Sequence, residues 1–546
     1  MWARNLLFFG VCIGIAAITA ASLLPANRAT IEKKWPHVAA GDNVRISIAV
    51  VDDALAKSSK SGPVAPRAPD LAIARRMSLA LTGTIPSLEE IRTFESQPDG
   101  ERLARWLEHL LADRRYSDYV AERLARTYVG VDDGPFLIYR RRRFVAWLSD
   151  QLTANRPFDA MVRDVIASDG LWTDTPAVNF ISVTITEERS KRADENRLAG
   201  RVARAFLGVR LDCAQCHDHP FDPRWTQATF QGLAAFFGNT TQGFTGIHDV
   251  PGVYEVEDRK TGKKQAVAPA VPFQADLLSD HGGPRQRLAA WITNPKNRAF
   301  ARVTVNRAWA LMFGRPIVEP IDSIPPDGQA PPALDRLADD FISHGYDWRR
   351  LIRVIASTAA FQRDSREVDS SINASTTDAS SAAAKAPAAW SRFPLSRLRP
   401  EQVVGSLLQA SRLHTIDQDS SILVQFGRVI GEKDFVRRYG DSGEDEFAER
   451  GETIPQRLLL MNGQLVDDKT HEDLLANAAT RIARLAPDDA TAVETSYLAV
   501  LTRRPTAVEL EHFKARLAGT TGAARSGALA DLFWTLFNST EFSWNH

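Results

Sequence analysis

Between residues 101 and 114 the apolar side chains Leu103, Trp106, Leu107, Leu110 and Leu111 recur every three or four positions. That spacing puts them on one face of an α-helix and gives the helix a reason to pack against another. The same period returns over 70–81, 116–129, 144–153, 158–168, 193–208 and 225–237. It returns again over 286–293, 299–313, 334–343, 348–360, 400–413, 454–460, 471–485, 490–501, 507–517 and 528–538. Start and stop signals agree with it: Asp70 is an N-cap, Gly83 a terminator, and Ser87 with Glu90 forms a capping box. The chain is therefore expected to be mainly α. At 546 residues it exceeds one ordinary core, and the pattern divides it into helical domains over 68–239 and 284–546. Between them, 240–283 reads as loops with a hairpin, on the alternation around Val253 to Val256. Three further non-helical pieces are expected. Residues 27–67 read as a flexible connector with a short strand at Val44 to Val51, and Asn179 to Thr186 as one extended piece. The Ser/Ala-rich stretch 363–389 reads as a disordered insertion.

The first 26 residues have a basic start ending at Arg4, an apolar run from Leu6 to Leu24, and small residues Ala20, Ala21 and Ser22 near its end. This is the layout of a signal peptide, and the run is also near the ~20 residues that span a bilayer, so a retained anchor is the alternative. Either way the body is expected to be exported, periplasmic or tethered facing the periplasm, with membrane contact only through that anchor. The 67 basic and 67 acidic residues cancel, so no overall field favours nucleic acid or an anionic membrane surface.

Of three cysteines, Cys12 falls in the leader, and Cys213 and Cys216 stand in the segment LDCAQCHDHPFD, residues 211–222. Cys-x-x-Cys-His places two thiols on one side of a helical turn, with His217 next to them. That spacing suits covalent attachment of a c-type haem, the sulfurs taking its vinyl groups and His217 its iron. His219 is too close in sequence to reach the opposite face, so a second axial ligand would come from Met312, Met461, His248 or His281. The Asp-His-Pro-Phe-Asp continuation keeps another reading open. Cys213, Cys216 and His219, with His217, Asp218 or Asp222, could hold zinc or iron in a hydrolytic or structural site. A third reading makes the cysteines a disulfide in a binding scaffold for a protein or glycan, with Trp147, Trp172 and Trp225 as a stacking surface. No nucleotide loop, His-Glu-x-x-His or serine-hydrolase elbow occurs, and no catalytic residue is assigned. Asn306, Arg307, Arg315, Glu319 and Asp322 form a polar group at the end of an apolar helix, readable as an ion-pair network between domains or as a pocket facing the cysteines.

These segments, with Arg75-Arg76-Met77-Ser78-Leu79, Phe206 to Arg210, Gly232 to Phe237, Asn306 to Trp309, Phe313 to Pro320 and Asn538 to Phe542, resemble a family. It is the planctomycete family of exported proteins that pair a cytochrome-like domain of unknown function with a second C-terminal domain of unknown function. The resemblance covers nearly everything after residue 67. It implies Cys213, Cys216 and His217 as a haem site, an unidentified redox partner, and a link to polysaccharide breakdown. An additional N-terminal haem domain, frequent in that family, has no counterpart motif here.

Overall fold

The computed structural model describes residues 35, 41–58, 64–131, 139–185, 191–219, 222–257, 262–326, 328–366, 390–418 and 477–546, with isolated residues between 420 and 473. The expected leader, nearly all of the insertion at 363–389 and most of the helix at 454–460 lie outside the described residues.

Helix α1, Asp42–Ser58, stands where a connector with a strand was expected. Its β-branched residues alternate locally, but Val44, Ile48, Val51 and Leu55 are also spaced for one helical face. That face wins because it is buried, Val51 and Leu55 being 1% and 4% exposed. The first helical domain follows as α2 (Asp70–Thr82), α3 (Leu88–Glu95), α4 (Arg102–Ala112), α5 (Arg114–Val129), α6 (Arg141–Thr153) and α7 (Phe158–Ala167). The predicted capping box on α3 is present in both directions, Ser87 accepting from Glu90 N–H and Glu90 from Ser87 N–H. Residues 176–182 are not extended: a 3-10 turn, Pro176–Val178, leads into α8, Asn179–Ser182. Pro176 opens the turn, and Val178, Phe180 and Ile181 are buried together at helical spacing, which outweighs their β-branched composition. Next come α9 (Glu195–Val202) and α10 (Gln227–Ala234), and then two hairpins. The first pairs β1 (Thr240–Gly243) with β2 (Gly246–Asp249), the second β3 (Glu255–Glu257) with β4 (Lys264–Ala266).

The second half continues with α11 (Pro284–Ile292), α12 (Arg298–Phe313), α13 (Pro332–Ser343), α14 (Trp348–Ser357) and α15 (Ala359–Gln362). After them come β5 (Ser396–Arg397), α16 (Pro400–Ala410), α17 (Ala478–Leu485), α18 (Asp489–Leu501), α19 (Ala507–Leu517), α20 (Gly522–Phe537) and β6 (Trp544–Asn545). Strands β5 and β6 pair, bringing the last residues back onto the chain at 396.

One hydrophobic cluster runs from Trp35 to Phe393, so helices on both sides of 240–283 share a core. At its centre is α12, buried along almost its whole length, with Trp309 and Phe313 stacked at 4.2 Å. Helix α1 crosses the division and packs on α13 and α14. A second cluster, Leu398 to Phe542, takes in Leu79 and Ile85. Helix α2 joins the two. Buried Arg75 donates to the carbonyls of Val500 and Phe542, and buried Arg76 to those of Phe361, Arg363 and His546. No described helix is long and apolar enough to cross a membrane.

Candidate functional site

The cysteine segment is held from both sides by tight backbone packing. Asp194 caps α9 by accepting from Arg197 N–H. The helix then widens into a π turn, Ala203–Leu207, and stops at Gly208. Gly208 has φ +69°, and a Cβ there would lie 3.1 Å from Val303 Cβ, so glycine is required on two counts. The chain then runs beside the loop after α12: Ile324 N–H donates to Gly208 O at 3.0 Å, and Arg210 Nε meets Asp322 Oδ2 at 2.8 Å.

Leu211 and Ala214, each 1% exposed, pin the next turn into the core. Between and beyond them the 3-10 turn Asp212–Gln215 aims Cys213 and Cys216 outward. Cys213 lies within the turn and Cys216 caps its end, and both thiols are exposed and unbonded. Gly200 makes room for this turn, since a Cβ there would sit 2.9 Å from Asp212 Oδ1.

The two histidines of the motif are held in opposite tautomers. His217 Nδ1 lies 2.8 Å from Asp218 O. A carbonyl only accepts, so Nδ1 is the donor, and Nε2, the nitrogen through which an iron- or zinc-ligating imidazole of this orientation binds, is left outside that bond. His219 Nδ1 instead accepts from Asp222 N–H at 3.2 Å, which places the proton on Nε2. Both carboxylates are committed elsewhere. Asp218 Oδ1 accepts from Gln227 N–H at 2.8 Å, and Gln227 also donates to Gln215 O at 3.2 Å, tying α10 to the cysteine turn. Arg224 clasps Asp222 through Nε and Nη2, and those hydrogen bonds hold its carboxyl down at about 2.

A cleft of about 740 Å³ opens beside the motif. His219, Asp222 and Trp225 form one wall. The loop from Pro316 to Pro326 forms another, and Glu446 and Phe447 complete it. The polar group noted in the sequence builds this cleft. Asn306, fully buried, accepts from Ile317 and Val318 N–H and donates to Val318 O, fixing the start of the loop. Arg307 Nε meets both oxygens of buried Glu446 at 3.0 Å, and its Nη1 donates to Ala205 O in the π turn. Asp322 is buried beneath Arg210, while Arg315 and Glu319 pair at 3.2 Å on the rim. The group is an ion-pair network, and two of its members, Glu319 and Asp322, line the cleft with His219 and Asp222, whereas Cys213, Cys216 and His217 do not line it.

Other expectations need correction. The apolar helices around the cysteines do not open to line a slot. They close on the core and on each other, with Phe206, Leu207, Phe230 and Leu233 no more than 1% exposed. Met312 is fully buried within α12 and unavailable as a ligand, and none of Met461, His248 or His281 lines the cleft. Among the described residues, the one group with three ligand atoms mutually within 4.8 Å is Glu90, His109 and Asp113. Arg115 pairs with both of its carboxylates, so it is an ion-pair network. Cys213, Cys216, His217, Asp218, His219 and Asp222 are not gathered in that way. Trp147 stacks on Phe144 and Trp172 lies under Arg140; of the three tryptophans, Trp225 alone lines the cleft. Arg210 and Glu446 escaped the sequence reading. Arg210 directly precedes the motif, but Glu446 lies in an acidic, non-periodic stretch with no signal to separate it from its neighbours.

The motif presents two exposed, unbonded thiols and the His217 imidazole, but among the described residues no apolar slot opens beside them, since Phe206, Leu207, Phe230 and Leu233 are buried against the core. Its carboxylates Asp218 and Asp222 are engaged by Gln227 and Arg224.

Two family models match the chain. Residues 49–242 match a family model described as a protein of unknown function (DUF1549, PSCyt2), and residues 284–447 match a second such model (DUF1553, PSD1). No curated protein and no solved structure matches the chain. The chain thus pairs two domains, each similar to a family of unknown function, and the cleft beside the cysteine motif lies where those two matched spans meet.

Proposed function

We propose that the chain is an exported c-type haem-binding protein with an electron-transfer or redox role, of the planctomycete kind its motifs resemble. The observation that carries this is the Nδ1–H bond from His217 to Asp218 O. It presents Nε2 as a ready ligand beside two accessible thiols. In this reading Cys213 and Cys216 form the thioethers, His217 binds the iron, and Gly200, Leu211 and Ala214 keep the three on one outward turn. A haem so held supplies one-electron chemistry at a potential set by its axial ligands and exposure. The cleft, with buried Asp322 and Glu446 each bonded to an arginine, is the place for the molecule that exchanges electrons with it. A polysaccharide-derived substrate, as the resemblance implies, would bind there.

Expression with a cytochrome c maturation system tests the proposal. Expected are a pyridine haemochrome spectrum and a haem stain that survives a denaturing gel. Cys216→Ala should retain one thioether and shift the haemochrome band, and the double variant with Cys213→Ala should lose the stain. A colourless protein carrying stoichiometric zinc or iron would replace this reading with the metal site.

A further inference from the structure

Phe244 sits at the tip of the β1–β2 hairpin with its side chain fully exposed. An exposed phenylalanine on a mobile loop would mean little, but this tip is clamped. On one side Ala193 N–H donates to Thr240 O and Gln242 N–H to Lys191 O, at 3.0 and 2.9 Å. On the other, Gly170 and Ile247 exchange both backbone hydrogen bonds, at 2.8 and 2.9 Å. Gly246, at φ +100°, lies so close that a Cβ would be 2.1 Å from Gly170 O. Fully buried Arg285 fastens the base, bonding Asp249, Asp169 and Ser168 O. The fold therefore holds an aromatic ring in water on a rigid support, at a standing hydrophobic cost.

The surroundings of the tip narrow what covers it. Leu171, 37% exposed, follows the Gly170 that pairs beside it, and Trp172 is half-buried under the Arg140 guanidinium at 5.2 Å. Lys191, exposed and in left-handed backbone, flanks the opposite edge. Asp169 in the same segment is paired with Arg285 and Asp174 is exposed, and Leu, Trp and Phe flanked by Arg and Lys are the residues that seat at a lipid headgroup boundary, apolar groups inward and cations at the phosphates. The chain also carries, at Leu6 to Leu24, an apolar run of membrane-spanning length. We propose that the Phe244 tip is a membrane contact of the folded body, inserting into an anionic bilayer surface and fixing the orientation of the body upon it. This is independent of what the cysteine motif binds.

Site-specific crosslinking tests it on the full-length chain. p-Benzoylphenylalanine replaces Phe244 in one sample and Val508 in another, the latter 81% exposed on α19. Both are reconstituted with vesicles of phosphatidylcholine and phosphatidylglycerol, irradiated, and read by mass spectrometry for lipid adducts. Adducts at 244 should exceed those at 508 by about tenfold or more, the partition gained by burying one phenyl ring. They should fall severalfold in pure phosphatidylcholine and with Lys191→Glu. Equal yields at the two positions, no lipid adduct at 244, or adducts at 244 only to a second copy of the chain would overturn the proposal.

Discussion

Replacing Asn306 with alanine should loosen the wall of the cleft without unfolding the molecule. The side chain makes three hydrogen bonds to the loop, at 2.8, 3.1 and 2.9 Å. A net value of about 1 kcal/mol for each puts the loss near 3 kcal/mol, confined to the segment they hold. Hydrogen exchange read on peptides spanning Ile317 and Val318 reports that loss locally, and 3 kcal/mol corresponds to roughly a hundredfold faster exchange. Asn306→Asp sharpens the test. It keeps an acceptor for the two amides but sets a buried carboxylate oxygen against Val318 O, so it should be no better than alanine. Exchange of the 317–318 amides within threefold of the parent in both variants would refute the role given to Asn306, and with it the idea that α12 positions the cleft.

Three more outcomes are expected. Gly208→Ala forces a left-handed alanine against Val303 and should cost about 2–4 kcal/mol in denaturant unfolding. Arg76→Met strands three carbonyl acceptors between the two cores and should cost about 3–5 kcal/mol, with the β5–β6 pair the first to lose exchange protection. Burial alone would raise the Glu90 carboxyl, but Arg115 and His109 beside it outweigh that and hold it at about 2. Its folded value lies below its ordinary 4.5. The stabilisation, about 3 kcal/mol, is therefore fully present above about pH 5 and lost as the pH falls towards 2. Glu90→Gln should lower stability at neutral pH and flatten that acid limb.

Helical residues were legible wherever one face repeated at the helical period, as in α4, α5 and α14, because burial and propensity agree there. Reading failed where β-branched residues alternate by chance within a helical face. In α1 and α8 the face is buried against distant helices, a fact no local window contains. The motif turn was legible because its spacing is chemical. The cleft was legible in part: Asn306, Arg307, Glu319 and Asp322 stood out as polar residues at an apolar helix end. Their partners Ala205, Arg210 and Glu446 lie roughly a hundred residues or more away in sequence, and only the shared core brings them together. The expected haem lining failed for the opposite reason. Apolarity in α9 and α10 was read as a surface for a cofactor, when it was surface for each other and for α12.

The central claim is that a porphyrin is covalently attached through Cys213 and Cys216. Intact mass under denaturing conditions, on protein matured with the cytochrome c machinery, tests it most directly. The account predicts one haem added to the polypeptide mass, abolished in the double alanine variant. An unmodified mass, or one short of two hydrogens from a Cys213–Cys216 disulfide, would contradict it.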